Sequence, residues 1–239
     1  MSKFIKLVFI VCILFCSNFS FSQNQNKVKE ILTKVEKTYY SDNDLSLNLD
    51  YKLYTSYSSK VVSESYKGHI INNNKSIYLK IHNTEFLQTS SRSIKINHDQ
   101  KMVAVFNKPD IESNVNPMSL SILLKNYKTQ DLIDKGDYWI CSLQTGKYTQ
   151  MIYGKIEIYV NKQSYQVEKQ VFYILEKAPY KDSKGNEKFD FPRLEITFKK
   201  AVLNESVKKE IFNLNNYIQI NGDKILPSKK YSNYTIQNI

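Results

Sequence analysis

Three histidines, His69, His82 and His98, and three cysteines, Cys12, Cys16 and Cys141, are the residue types here best suited to hold a metal or act as a nucleophile. No histidine lies at helix or hairpin spacing from another, so they form no metal site by sequence. His98 falls in the turn "NHDQ" and reads as a solvated turn residue. Cys141 lies in "YWICSL", between apolar residues of a strand. That is the setting of a buried structural thiol; a reactive thiolate needs electropositive, partly exposed surroundings. Asp42-Asn43-Asp44 has the opening of a calcium loop but lacks its glycine and distant glutamate, and reads as turn chemistry that ends a helix. Glycine is scarce, and no loop has the pattern that cradles phosphate. The chain therefore offers no catalytic residue, no metal ligand set and no cofactor motif, and it does not read as an enzyme.

The first residues carry an address instead. Lys3 and Lys6 precede an apolar run, Leu7 to Phe15, and Ser20-Phe21-Ser22 supplies small residues at cleavage positions. A run this short does not span a hydrocarbon core of ~30 Å, which needs ~20 residues. Residues 1–22 read as a signal peptide, and 23–239 as one mature domain beginning at Gln23. The alternative is cleavage before Cys16, which would leave a lipid-anchored protein, but Phe15 is a poor residue to precede such a cut. Cleavage after Ser22 removes Cys12 and Cys16 and leaves Cys141 without a disulfide partner. It also lowers the net charge from +11 to +9, because Lys3 and Lys6 leave with the signal. The excess positive charge is spread along the chain, as on a solvated lysine-rich surface, with no basic run interleaved with aromatics. Nucleic acid is not an expected partner.

The elements behind this address follow from periodicity. Val28, Ile31, Leu32, Val35 and Tyr39 share one face of an amphipathic helix. "SDNDLS" ends it, and the period then drops to two: Leu45, Leu47, Leu49, Tyr51 and Leu53 alternate with polar residues. Strands are expected near 61–71, 76–82, 84–89, 93–97 and 101–106, an antiparallel meander. Asn116-Pro117 opens a second helix carrying Met118, Ile122, Leu123 and Tyr127, and a shorter helical piece near 130–135 ends at Gly136. Strands resume at "DYWICSL" and near 150–160, 167–176 and 190–200. "APYKDSKGNEKFDFP" reads as a long, charged, mobile loop, and Asn221-Gly222 in "IQINGDKIL" as a hairpin turn.

The fold class is thus mainly β with helices (α+β), one domain with about ten strands. Such a meander closes, splits into two sheets or curls into an open half-barrel. A half-barrel leaves an apolar face that the helices must cover. As a removable lid they would enclose an acyl-chain pocket; packed permanently, they are ordinary core.

The order of elements and the closing segment "LEITFKKAVLNESVKKEIFNL" resemble the LolA-type lipoprotein carriers of the periplasm. The resemblance spans about residues 26–220. It implies an open antiparallel β half-barrel, covered by the N-terminal helix and a mid-chain helical pair, that holds the acyl chains of lipoproteins or lipids on their way to the outer membrane. Gly68 matches the family's early glycine, and Lys75 falls near its lid-holding basic residue, with Ser76 in place of the following proline. A lysine is a point charge without arginine's fork of donors. Pocket candidates are the dry sides of central strands: Leu47, Leu49 and Tyr51; Ile77, Leu79 and Ile81; Ile94 and Ile96; Leu194, Ile196 and Phe198. Lid candidates are Ile31, Val35, Met118 and Ile122, with Lys75. The expected protein is a soluble periplasmic monomer that meets lipoprotein or lipid acyl chains and envelope membrane-protein complexes. The alternative is a non-catalytic envelope scaffold with a permanently packed half-barrel core.

Overall fold

A computed structural model of the chain describes residues 24–39, 44–73, 76–107, 120–147, 149–199, 202–203, 209–222 and 224–239. Helix α1 occupies 24–39. The expected meander follows as β1 (Leu45–Tyr54), β2 (Val62–Asn72), β3 (Ile77–Ile81), β4 (Thr84–Gln88), β5 (Ser93–Asn97) and β6 (Met102–Phe106). Helix α2 is short, Leu120–Asn126. It is followed by β7 (Thr129–Lys135), β8 (Tyr138–Gln144), β9 (Tyr153–Asn161), β10 (Val167–Ile174), β11 (Ala178–Lys181), β12 (Glu187–Asp190), β13 (Arg193–Phe198) and β14 (Val202–Leu203). The chain ends with a hairpin, β15 (Ile218–Asn221) and β16 (Lys224–Pro227), flanked by short 3-10 turns, and with β17 (Thr235–Asn238).

Thirteen strands form one open sheet in the order β17-β6-β5-β4-β3-β2-β1-β13-β10-β9-β8-β7, with β14 added on β1. Every pair is antiparallel except β17 with β6, which is parallel. The sheet is not closed into a barrel, so the architecture is an open half-barrel with few helices.

Two expectations about elements are corrected. Residues 129–135 form a strand, not a second mid-chain helix: β7 pairs with β8 from Thr129↔Gln144 to Lys135↔Tyr138. Gly136 adopts φ 69, but it serves the tight turn of this hairpin instead of a helix end, because both uses need the left-handed conformation that glycine tolerates. The mid-chain helical pair is therefore the single helix α2. The charged segment after β10 is not a loop but a separate two-stranded arm, β11 with β12, closed by a turn in which Asp182 accepts from the N–H groups of Lys184 and Asn186 at 2.9 and 3.0 Å.

Two apolar clusters flank the sheet. The larger lies on the inner face, between α1, α2 and strands β1, β2, β3, β8, β9, β10 and β13. The smaller lies on the opposite face of β3–β6, covered by the C-terminal segment through Tyr217, Ile218 and Tyr231.

Candidate functional site

The inner face is built from the period-two apolar residues of β1, β9, β10 and β13 and the one apolar stripe of α1. Val28, Ile31, Leu32, Val35 and Tyr39 are at most 3% exposed. They meet Leu47, Leu49 and Tyr51 on β1, Leu79 on β3, and Ile196 and Phe198 on β13, all buried in the same cluster. Ile77, Ile81 and Leu194 pack at its margin, partly buried. Nine of the pocket candidates are thus brought together with the lid candidates Ile31 and Val35. Met118, Lys75 and the side chain of Ile122 lie outside the described residues.

Ile94 and Ile96 are placed elsewhere. Leu79 pairs with Phe86, Phe86 with Lys95 and Lys95 with Ala104, so this row faces inward. Ile94 and Ile96 are one residue out of step with Lys95 and point to the other side, since neighbouring residues on a strand face opposite ways. They are 1% exposed within the cluster covered by the C-terminal segment. Alternation identified both as buried but could not say beneath which cover.

Polar contacts hold the helices at their ends. Tyr39 Oη accepts from the N–H of Val167 at 2.9 Å, and Asn72 Nδ2 donates to the Tyr39 carbonyl at 3.4 Å. At the other end of α1, Gln25 Nε2 donates to the carbonyl of Lys128 at 3.4 Å. Tyr127, just after α2, donates to the Tyr153 carbonyl at 3.0 Å. Burial pushes the Tyr39 hydroxyl up to about 12, opposed in part by the Val167 N–H, and burial with a contribution from Tyr153 does the same at Tyr127. Tyr51 Oη is buried without a hydrogen-bond partner, a polar atom inside an otherwise apolar face. Burial raises the Cys141 thiol to about 12, so it stays protonated at neutral pH and acts as core. A cleft of about 220 Å³ opens at the far end of β9 and β10, lined by Asn161, Ser164, Gln166, Val167, Glu168, Phe198 and Lys199. Its lining is polar, unlike the inner face.

Two arrangements escaped sequence reading. His98 is half-buried, not a solvated turn residue: its Nε2 lies 2.9 Å from Glu85 Oε1 and its Nδ1 2.8 Å from Tyr234 Oη. No local signal joins positions 85, 98 and 234, which meet through strand register and the C-terminal fold. Arg193 donates to the carbonyls of Ser56, Tyr57 and Ser59 at 2.8–3.0 Å and to Glu195, clamping the β1–β2 connection. A hint existed: Arg193 is one of only two arginines among 34 basic residues, and arginine's rigid fork suits several carbonyls at once.

No protein-family model matches the chain, and no curated protein matches it in sequence. Solved structures resemble it in fold. An uncharacterized conserved protein from Thermus thermophilus is 8% identical, over 89% of this chain and 99% of that one, at TM-score 0.48. A LolA superfamily protein from Nitrosomonas europaea is 12% identical, over 78% and 97%, at TM-score 0.36. The Mycobacterium tuberculosis lipoprotein LppX is 8% identical, over 75% and 98%, at TM-score 0.39. Among the described residues no helix is long and apolar enough to cross a membrane.

Proposed function

We propose that this chain is an envelope carrier that takes the acyl chains of lipoproteins or lipids against the inner apolar face of its half-barrel, with α1 as the cover that gives way. The observation that carries this reading is how α1 is attached. Its five apolar side chains pack on the sheet, Gln25 and Tyr39 bond to the rest of the chain near its two ends, and between them the exposed Lys34 lies over the Tyr165 ring at 5.3 Å. It shares no backbone ladder with any strand, so it can lift as a unit.

The energies permit exchange. Burying five such side chains is worth roughly 7–15 kcal/mol at about 1.5–3 kcal/mol each. An acyl chain of about 16 carbons gains roughly 12 kcal/mol at about 0.8 kcal/mol per buried CH₂. A chain of that length can therefore replace what α1 contributes.

The test is binding of a hydrophobic fluorescent dye to the folded monomer and its displacement by palmitate. Displacement supports the carrier; a folded protein that binds no dye rejects it. A second reading, a scaffold with a permanently packed core, is favoured by the complete burial of Val28, Leu32 and Val35. It expects Leu79→Ser to unfold the protein, whereas the carrier expects a folded variant that binds the dye poorly. Export is read from the N-terminal address: a native mass beginning at Gln23 supports a released protein, and a diacylated Cys16 supports an anchored one.

A further inference from the structure

Three tyrosine side chains are buried in the described cluster beneath α1: Tyr39, Tyr51 and Tyr127. Two of them have partners, since Tyr39 Oη accepts from the Val167 N–H and Tyr127 Oη donates to the Tyr153 carbonyl. Tyr51 differs. It is 7% exposed, and its hydroxyl meets no hydrogen-bond partner among the described residues. A buried polar group without a partner costs stability, so its presence in an apolar face calls for a reason. Burial holds this hydroxyl above the ordinary tyrosine range, so it keeps its proton at neutral pH and is ready to donate it.

The fold sets the side chain in place. Gly68 leaves room for the ring, since a Cβ there would lie 2.6 Å from Tyr51 Cε2. Tyr51 pairs with Tyr66 on β2 and with Ile196 on β13, and Ile196 pairs with Gln170 on β10. Directly paired residues face the same side, so these four share one row of the inner face. Tyr66 Oη is already engaged there, donating to Glu64 Oε2. Gln170 is completely buried, a second polar side chain at the same level. The row also marks a boundary. Along β1, Leu45, Leu47, Leu49 and Tyr51 are buried, whereas Leu53 is half-buried and its partner Leu194 packs at the margin. Complete burial thus runs from Leu45 to Tyr51, roughly 20 Å of strand at about 3.3 Å per residue, and ends there.

We infer that Tyr51 is a ligand-binding residue whose hydroxyl donates to the carbonyl oxygen of an ester or amide at the head of an acyl chain, the tail running towards Leu49, Leu47 and Leu45. The inference rests on the acyl-carrier reading and adds to it the polar group that the ligand must carry. A chain laid with its tail inward puts its carbonyl where apolar burial stops and the rest of its head group beyond Leu53. Lifting α1 then exchanges helix side chains for hydrocarbon and gives the Tyr51 hydroxyl an acceptor. A plain hydrocarbon does only the first.

The experiment uses Tyr51→Phe, which keeps the ring over Gly68 and removes only the hydroxyl. The unliganded variant should melt at the same temperature or higher, because a buried polar group without a partner has gone. Displacement of the hydrophobic dye is measured on parent and variant with methyl palmitate, N-methylpalmitamide and n-octadecane. Both carbonyl ligands should bind the variant about three- to tenfold more weakly, the worth of one net hydrogen bond. Octadecane should bind both proteins equally. The ratio of ester to amide affinity in the parent tells a lipid ester from an N-acylated chain as the source. With isotope-labelled methyl palmitate, the carbonyl stretch should lie lower in the parent than in the variant, because hydrogen bonding weakens the C=O bond. A lower melting temperature, unchanged carbonyl affinity, an equal loss for octadecane, or a carbonyl stretch indifferent to the hydroxyl would each overturn the inference while the carrier reading stands. If none of the three ligands displaces dye from the parent, the carrier reading fails and the inference falls with it.

Discussion

Gly68 shows how one missing side chain shapes the inner face. It pairs with Leu49, and a Cβ there would lie 2.6 Å from Tyr51 Cε2 and 3.3 Å from the Lys80 carbonyl. The Tyr51 ring occupies the space that any other residue would need. Gly68→Ala should therefore lower stability by about 1–3 kcal/mol in urea unfolding, the usual range for an overpacked core. Combining it with Tyr51→Leu should recover part of that loss, because the two changes share one contact. A second residue-scale prediction concerns alkaline pH. Tyr39 and Tyr127 are raised to about 12 in the fold by burial, against about 10 in an unfolded chain. The unfolded state then loses protons first as pH rises. Their contribution is complete below about pH 10 and lost as pH rises to about 12. Melting temperature should fall steeply across that window, and Tyr39→Phe should flatten the fall while leaving the Val167 N–H without its acceptor.

At the scale of elements, α1 and the β7–β8 hairpin make opposite predictions. Leu32 is fully buried at the centre of the α1 stripe, so Leu32→Ala should cost about 2–5 kcal/mol, read from the urea midpoint. Gly136 has φ 69 and nothing within 4 Å of an added Cβ. Gly136→Ala should cost only about 1 kcal/mol, from backbone strain alone. A larger loss would mean that the turn makes contacts beyond its own backbone. The same pair explains why β7 was misread. A glycine after a short amphipathic stretch serves either a helix cap or a hairpin, and only the seven paired positions with β8 decide.

At the scale of the molecule, two clusters on opposite faces divide stability from the proposed binding. Ile96 belongs to the cluster beneath the C-terminal segment, whereas Leu49 belongs to the one beneath α1. Ile96→Ser should expose the segment after Leu214 to protease and leave inner-face dye binding unchanged. Leu49→Ser should do the reverse, weakening dye binding without loosening the C-terminus. Coupled responses would show that the sheet behaves as one cooperative unit.

The strands β1–β6, the stripe of α1 and the Asn221-Gly222 hairpin were legible because each depends on periods and turns written within a few residues. That Leu49 and Leu79 lie on buried sides of their strands was legible for the same reason. The side on which Ile94 and Ile96 are buried, the meeting of Glu85, His98 and Tyr234, the grip of Arg193 on the β1–β2 connection and the unpartnered hydroxyl of Tyr51 were not. Each depends on which strand lies beside which and on what covers a given face, and those are set by register and packing between residues far apart in the chain. Local periodicity determined the elements and their dry sides; tertiary packing alone decided which dry side met a helix, which met the C-terminal segment and which buried hydroxyl was left without a partner.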